Sequence, residues 1–269
     1  MAAVTTRILH TNLVDTASVI TGSSAATNFP DDNLQDEFVA VPWRTTGDSD
    51  ENVVIDMGSA KQVTFCGIFG HNFTSGATVT LQANAADSWG APSYTQALTI
   101  VSDSLSQVIP KIGFFLDQTY RYWRLRIQDS SNSDTYVEVG RFWLGTYVSP
   151  TYNFNNGFTA NIVKPDIVSR ARFGGVYGAS YPSYEQLSFG WQSGSNPLST
   201  SDRLLLEAIY RTKGMTTPIV IVYDALNNPS LSALYGNFEM SQLQRTHGIV
   251  DLHGLEGFSF REDVGWNGV

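Results

Sequence analysis

The segment Tyr120-Arg-Tyr-Trp-Arg-Leu-Arg-Ile-Gln128 alternates between apolar and polar side chains at almost every step. Trp123, Leu125 and Ile127 share one face of an extended strand, and the arginines between them share the other, because successive strand side chains point to opposite sides. Such alternation predicts a strand with one face in a core and the other facing solvent.

Similar patterns surround this segment at regular spacing. Residues 52–57, 62–70, 78–83 and 136–145 are rich in Val, Ile, Phe and Trp, and glycine-containing or polar turns separate them. Short alternating strands with a turn about every 8–12 residues are typical of an antiparallel β-sandwich. The sequence therefore predicts an all-β, mainly antiparallel protein.

The second half of the chain adds one helix to this pattern. Residues 200–213 carry an apolar stripe that includes Leu206 and Ile209, with Thr200 or Ser201 as the expected N-cap and Gly214 after the last turn. Strands are predicted at 218–223, 234–240 and 247–252. A turn-rich stretch after residue 148 suggests two domains, a jelly-roll β-sandwich at 1–148 and a β-rich domain with one packed helix at 149–269.

Composition excludes several functional classes. Of 269 residues, 15% are charged, 42% are hydrophobic, and the net charge is −9. This acidity argues against nucleic-acid binding, which needs a basic surface. No signal peptide or membrane-spanning stretch is expected. Cys66 is the single cysteine, so no internal disulfide is possible. We expect synthesis in a cytoplasm, without membrane insertion.

Catalytic signatures are missing from the sequence. It contains no G-x-S-x-G, H-E-x-x-H, P-loop or G-x-G-x-x-G motif, and it has only four histidines. We therefore predict a protein that is not an enzyme and has no cofactor. A pair of carboxylates could still cleave a glycan, so a glycosidase remains an alternative.

The candidate ligand-binding residues are aromatic and polar side chains in or beside predicted loops: Trp43, Arg44, His71, Asn72, Phe73 and Trp89. Aromatic rings can stack against the C–H face of a sugar, and nearby polar groups fix its hydroxyls. These residues are the predicted glycan contacts, although Trp43 is also compatible with a place in the core.

Two stretches carry oxygen or nitrogen donors that could ligate a metal. His247, Asp251 and His253 would share one face of a single strand. Asp31, Asp32 and Asp36 lie in an oxygen-rich turn. The favoured interpretation is a solvent-facing strand and an ordinary turn, so no metal site is predicted.

Four segments in order carry a resemblance to a known family: 28–34 with 43–46, 53–58, 67–79, and 122–127 with 137–145. They read Asn28-Phe-Pro-Asp-Asp-Asn-Leu34 leading to Trp43-Arg-Thr-Thr46, Val53-Val-Ile-Asp-Met-Gly58, the glycine-rich stretch from Gly67, and Tyr122-Trp-Arg-Leu-Arg-Ile127 followed by Val137-Glu-Val-Gly140. In this respect residues 20–145 resemble a discoidin-type, galactose-binding-like jelly roll.

The second half resembles the C-terminal regions of minor tail, distal-tail or baseplate proteins of long-tailed bacteriophages. The resemblance lies in a Gly- and aromatic-rich hairpin at 170–191, the helix and the strand after it. It implies a structural tail-tip protein of the virion that forms a homo-oligomeric ring, trimeric or hexameric. The implied partners are other tail proteins, and glycans of the host surface at the first sandwich. A stand-alone carbohydrate-binding module is the alternative.

Overall fold

The computed structural model describes residues 6–101, 109–154, 157–240, 242–247 and 252–265. Every strand pairing in these residues is antiparallel, so the fold class is all-β as predicted. Within these ranges, no helix has the length and apolar character needed to cross a membrane.

The elements in chain order are β1 Arg7–Leu9, β2 Val19–Gly22, β3 Trp43–Arg44, β4 Glu51–His71, β5 Thr78–Asn84, β6 Tyr94–Leu98, β7 Lys111–Gln128, β8 Glu138–Gly145, β9 Thr159–Val163, β10 Ile167–Arg170, β11 Val176–Ala179, β12 Tyr184–Trp191, α1 Thr200–Lys213, β13 Ile219–Val222, α2 Pro229–Ser232, β14 Ala233–Phe238, β15 Gln244–His247 and β16 His253–Glu262.

The first half of the chain forms a two-layered β-sandwich because β4 and β7 each run through both layers. Pairing of β4 with β7 is interrupted between Asp56 and Lys61, where Gly58 has a positive φ of 71°. The first part of β4 pairs with β2, and its last part pairs with β8. In the same way, the second part of β7 pairs with β5. One layer is thus β2, β4, β7, β5 and β6, and the other is β3, β8, β4 and β7.

The core of the sandwich lies between these layers. The apolar face of β7, with Trp123, Leu125 and Ile127, is fully buried there, as the alternation predicted. Cys66 and Ile68 reach the same core from the opposite layer. Burial raises the pKa of the Cys66 thiol, which agrees with a packing role.

The second sheet has the order β1-β13-β14-β16-β12-β9, with β15 paired to β16. Every residue of its strand β13 is apolar, and both faces of the strand are buried. Ile219 and Ile221 pack toward the core that includes α1 residues, while Val220 and Val222 pack toward the sandwich. A short uninterrupted apolar run is typical of such a strand.

The strand at the start of the chain differs from the predicted domain division. β1 pairs with β13, so it belongs to the second sheet although the division assigned residues 1–148 to the sandwich. The pairing joins residues more than 200 positions apart, which no local pattern in the sequence signals. The boundary near residue 148 itself lies between β8 and β9.

The helix α1 covers residues 200–213 as predicted, but its cap is different. The Ser199 side chain, rather than Thr200 or Ser201, accepts a hydrogen bond from the Asp202 amide at 3.1 Å. Leu206 and Ile209 are buried against the sheet. Glu207, which is also buried, forms ion pairs with three arginines, Arg203, Arg211 and Arg245.

The sandwich and the second sheet share a third apolar core. Phe65, Phe69 and Trp143 on the outer face of one sandwich layer pack against β13 and against Tyr235 of β14. The Tyr235 hydroxyl donates a hydrogen bond to the Glu37 backbone carbonyl at 2.6 Å. A buried ion pair between Lys111 of the sandwich and Glu262 of β16 lies at the same interface. These contacts fix the two sheets relative to each other.

Candidate functional site

Three of the six predicted glycan contacts lie in the core, which corrects the prediction for them. Trp43 is fully buried, and its indole Nε1 donates a hydrogen bond to the Ser24 carbonyl at 2.9 Å. His71 and Phe73 are buried and stack on each other with centroids 4.3 Å apart. Burial lowers the pKa of His71 to about 3, so its imidazole is neutral. None of these three rings presents a face to a ligand, because each is covered by the loops and strands around it.

Arg44 remains accessible and is held in a defined position. Its guanidinium lies between two partly exposed rings, 4.1 Å from the centroid of Phe29 and 4.4 Å from that of Tyr136. It also forms an ion pair with Glu138 at 2.6 Å. Backbone hydrogen bonds fix this arrangement, since the Arg44 amide donates to the Phe29 carbonyl and the Ala26 amide donates to the Arg44 carbonyl.

Asn72 extends this group from the other edge of β8, which pairs with β3 on one edge and with β4 on the other. Its side-chain amide donates hydrogen bonds to the Asp134 carboxylate and to the Tyr136 carbonyl, both at 3.0 Å. Its side-chain oxygen accepts from the Glu138 amide at 2.8 Å. Asp134 is exposed. We call the following six residues the loop-end cluster: Phe29, Arg44, Asn72, Asp134, Tyr136 and Glu138.

The loop-end cluster lies at one end of the sandwich. The chain enters β4 at Glu51 and leaves it at His71, and both positions are at this end because β4 turns back at Gly58. The loops before β4, between β4 and β5, and between β7 and β8 meet there. Asp48, Asp50 and Glu51 lie in or beside these loops, so the end is rich in carboxylates.

Four members of the cluster were missed by the sequence analysis. Phe29 and Asp134 lie in turns, where nothing in the sequence indicates which side chains converge. Tyr136 and Glu138 did carry a signal, since they alternate with the buried Val137 and Val139 and so share the outward face.

Trp89 is separate from the loop-end cluster. It lies in the loop between β5 and β6, where its ring is covered by the Arg124 guanidinium at 4.5 Å. Its Nε1 donates a hydrogen bond to Asp87 at 2.7 Å. β5 ends beside Tyr122, which places this loop toward the opposite end of the sandwich. The structure therefore brings together only Arg44 and Asn72 from the predicted set.

The acidic turn forms no cation cage. Asp31 accepts a hydrogen bond from the Gly22 amide at 2.5 Å, and the Asp36 side chain accepts one from the Phe38 amide at 2.9 Å. Asp32 is exposed. In the described parts of the chain, no group of three or more His, Cys, Asp or Glu side chains is placed to hold a metal ion.

The histidine stretch is not the single strand that was predicted. β15 ends at His247 and β16 begins at His253, so the two histidines face each other across a hairpin. Asp251 lies outside the described residues. The imidazole Nδ1 atoms of His247 and His253 are 3.3 Å apart.

The carboxyl groups with raised pKa values are partners of buried cations. Burial raises the pKa of Glu262, which pairs with Lys111, and that of Asp15, which pairs with Arg141 at 2.6 Å. A general acid needs such a raised pKa together with access to a substrate. Glu262 lacks this access because its side chain is fully buried, whereas the Asp15 side chain is exposed and pairs with the buried guanidinium of Arg141.

Comparisons with known proteins find similarity to solved structures only. No protein-family model matches the chain, and no curated protein matches it. Several solved structures are similar to about half of the chain. They include chitosan-binding module 1 from a chitosanase/glucanase of Paenibacillus sp. IK-5, at 18% identity over 51% of this chain and 100% of that chain, with a TM-score of 0.39.

Two further similar structures are also described as sugar-binding modules. One is a fucose-binding module of Streptococcus pneumoniae, at 12% identity over 51% of this chain and 99% of that chain, with a TM-score of 0.41. The other is the lectin domain of Lectinolysin in complex with Lewis B antigen, at 11% identity over 50% of this chain and 95% of that chain, with a TM-score of 0.41.

Proposed function

We propose that the chain is a non-catalytic carbohydrate-binding protein that contacts glycans through the loop-end cluster. The observation that carries this proposal is the convergence of Arg44, fixed between the Phe29 and Tyr136 rings, with the polar side chains of Asn72 and Asp134. All of these residues are at least partly exposed.

The chemistry of the cluster suits a sugar. A partly exposed ring can pack against the apolar face of a pyranose, while carboxylates accept and a guanidinium donates hydrogen bonds to hydroxyl groups. The surrounding carboxylates at Asp48, Asp50 and Glu51 make the end acidic. We therefore expect neutral or amino sugars to bind in preference to uronic acids, since like charges repel.

The test is binding to an array of neutral, amino and acidic glycans, with the wild-type chain compared with Arg44→Gln. The matched control is Arg121→Gln at the opposite end of the sandwich. Arg121 also pairs with a carboxylate, that of Asp56 at 2.7 Å, and also lies over a ring, that of Tyr122 at 4.8 Å. We expect the first substitution to abolish binding and the second to preserve it. Equal binding by all three proteins would refute the proposal.

A second candidate function is assembly, and the hairpin of β10 and β11 favours it. Ile167 and Val168 point to opposite faces of the hairpin, yet they are 61% and 57% exposed. Phe173 at its tip is 97% exposed. A two-stranded hairpin in water is marginally stable on its own, and an exposed apolar surface of this kind is typical of an interaction site.

We infer that this hairpin docks on a second copy of the chain. Arg170 and Arg172 make its tip positively charged, whereas the chain as a whole has a net charge of −9. The charge of the tip is therefore complementary to that of another copy of the chain. A contact between two different surfaces repeats from copy to copy and can close into a ring.

In this second candidate the chain is a structural subunit of a bacteriophage tail tip or baseplate in the virion. The sequence resemblance of the second half supports this assignment. The ring would be trimeric or hexameric, other tail proteins would be its neighbours, and the sandwich would contact glycans while the second half of the chain provides the assembly contacts.

Native mass measured by light scattering tests the assembly proposal. We expect an oligomer that Phe173→Ser or Val176→Ser dissociates. Val19→Ser is the matched control, since Val19 of β2 is 55% exposed and Val176 is 60% exposed. A wild-type chain that is monomeric at every concentration, or an oligomer that all three variants keep, would contradict self-association through the hairpin.

A further inference from the structure

The two histidines across the β15–β16 hairpin form an unusual pair. His247 and His253 are directly opposite in the strand register, and their Nδ1 atoms are 3.3 Å apart. Their rings are nearly perpendicular, at 85°. His247 is exposed and His253 is partly exposed.

The separation of the two nitrogens matches the spacing of two ligands on one metal ion. Two nitrogens each about 2.0–2.1 Å from a tetrahedral Zn²⁺ lie about 3.3–3.4 Å apart. Ligands at right angles on a square-planar or octahedral ion at the same bond length would lie about 2.9 Å apart. The observed distance therefore favours a tetrahedral ion.

The hydroxyl of Thr200, the first residue of α1, can accept a hydrogen bond from the tautomer of His253 that a metal requires. Its Oγ1 lies 3.1 Å from His253 Nε2. When Nε2–H donates a hydrogen bond to this hydroxyl, Nδ1 has no proton and its lone pair is available on the side of His247. Metal-binding histidines usually have their second nitrogen held by such a hydrogen bond.

We propose that His247 and His253 chelate one Zn²⁺ ion per chain through their Nδ1 atoms, with Thr200 as the positioning residue and water in the remaining positions. The ion would join the end of β15 to the start of β16 and, through Thr200, to the first turn of α1. This site is independent of the loop-end cluster, because it lies in the second sheet.

The histidine content of the chain makes the test specific. Of the four histidines, His71 is buried and neutral, and the single cysteine, Cys66, is also buried. His10 is the remaining imidazole outside the pair, and its Nδ1 lies 3.2 Å from the Thr11 hydroxyl, so it serves as the matched control.

The experiment is calorimetric titration of the metal-free full chain with Zn²⁺, with Co²⁺ absorption as a second readout of tetrahedral geometry. We expect one ion per chain. Thr200→Val should weaken zinc binding by a factor of about 10–100, which is typical of losing a residue that hydrogen-bonds a metal ligand. His247→Gln and His253→Gln should each weaken it by more than this, because each removes a ligand itself. His10→Gln should bind as the wild type does.

Thermal unfolding gives an independent check, because a ligand that binds only the folded chain raises the melting temperature. Zn²⁺ should raise it for the wild type and for His10→Gln but not for the double variant His247→Gln/His253→Gln. Zinc binding that survives in the double variant, or that is lost in His10→Gln, would overturn the proposal, as would a chain that binds no zinc. Circular dichroism establishes that each variant is folded.

Discussion

Replacing Lys111 with methionine should destabilise the protein severely, because this lysine neutralises two carboxylates inside the domain interface. Its ammonium group is fully buried, 2.7 Å from Glu262 Oε1 and 3.7 Å from Glu185 Oε2. The Glu262 side chain is fully buried as well, and that of Glu185 is 10% exposed. Methionine has a similar length, so the substitution removes the charge with little change in volume.

The expected loss is large because the remaining carboxylates cannot be solvated. Breaking a buried pair by removing one partner costs about 3–5 kcal/mol in the free energy of unfolding. Removing the charge of Glu262 as well, in Lys111→Met/Glu262→Gln, should recover part of this loss, since no uncompensated carboxylate then stays at that position. Lys164→Met is the control: its ion pair with Asp166 is exposed and 3.8 Å long, and such pairs contribute about 0–1 kcal/mol.

The loss should also depend on pH. Burial raises the pKa of Glu262, which the ammonium of Lys111 opposes, so removing Lys111 raises that pKa further. A carboxyl whose pKa is higher in the folded state gives stability that is fully present below the unfolded pKa, about 4.3, and is lost as the pH rises through the folded value. The difference between wild type and Lys111→Met should therefore be greatest at about pH 7 and smaller at about pH 5.

Urea denaturation at both pH values measures these quantities, because the midpoint and slope give the free energy of unfolding. A loss below about 1 kcal/mol at neutral pH would place this pair in the class of exposed salt bridges. A large loss that is the same at both pH values would show that lost packing, rather than an uncompensated carboxylate, is responsible. Either result would contradict an uncompensated buried carboxylate as the cause of the lost stability.

Three further predictions concern side chains that the structure places in the core. Trp43→Ala should lower the free energy of unfolding by about 3–5 kcal/mol, whereas Trp89→Ala should lower it by about 1 kcal/mol or less, and urea denaturation of the two variants tests the contrast. Cys66 should react with a thiol reagent only after unfolding, and rapid labelling of the native chain would contradict its burial. His71 should remain neutral from about pH 5 to pH 8, because its pKa is about 3, so its imidazole NMR signals should not titrate in that range.

Local alternation predicted the strands at 52–57, 62–70, 78–83, 120–128 and 136–145 of the sandwich, but not β2, β3, β6 or the first part of β7. The buried face of β7, the doubly covered strand β13 and the helix α1 all follow from periods that the sequence displays directly. The pairing of β1 with β13 has no local signal, because its partner lies far along the chain. The same is true of the interface core around Tyr235, which forms only when two sheets meet.

The candidate sites were harder to predict because a loop position does not determine burial. Trp43 and Arg44 are neighbours in β3, yet strand alternation turns the indole into the core and the guanidinium outward. The histidine pair was misassigned to one strand because a hairpin joins β15 and β16, and this changes a shared face into a cross-strand contact. The residue types therefore predicted which chemical groups a site contains better than they predicted where in the fold those groups lie.

The most direct test of glycan binding at the loop-end cluster is an NMR titration of the isotopically labelled chain with the strongest ligand from the glycan array. We expect signals of the Asn72 side-chain amide and the Arg44 guanidinium to shift during the titration, while those of Arg121 do not. Shifts confined to the Arg121 end of the sandwich, or the absence of any glycan that shifts the Asn72 and Arg44 signals, would contradict it.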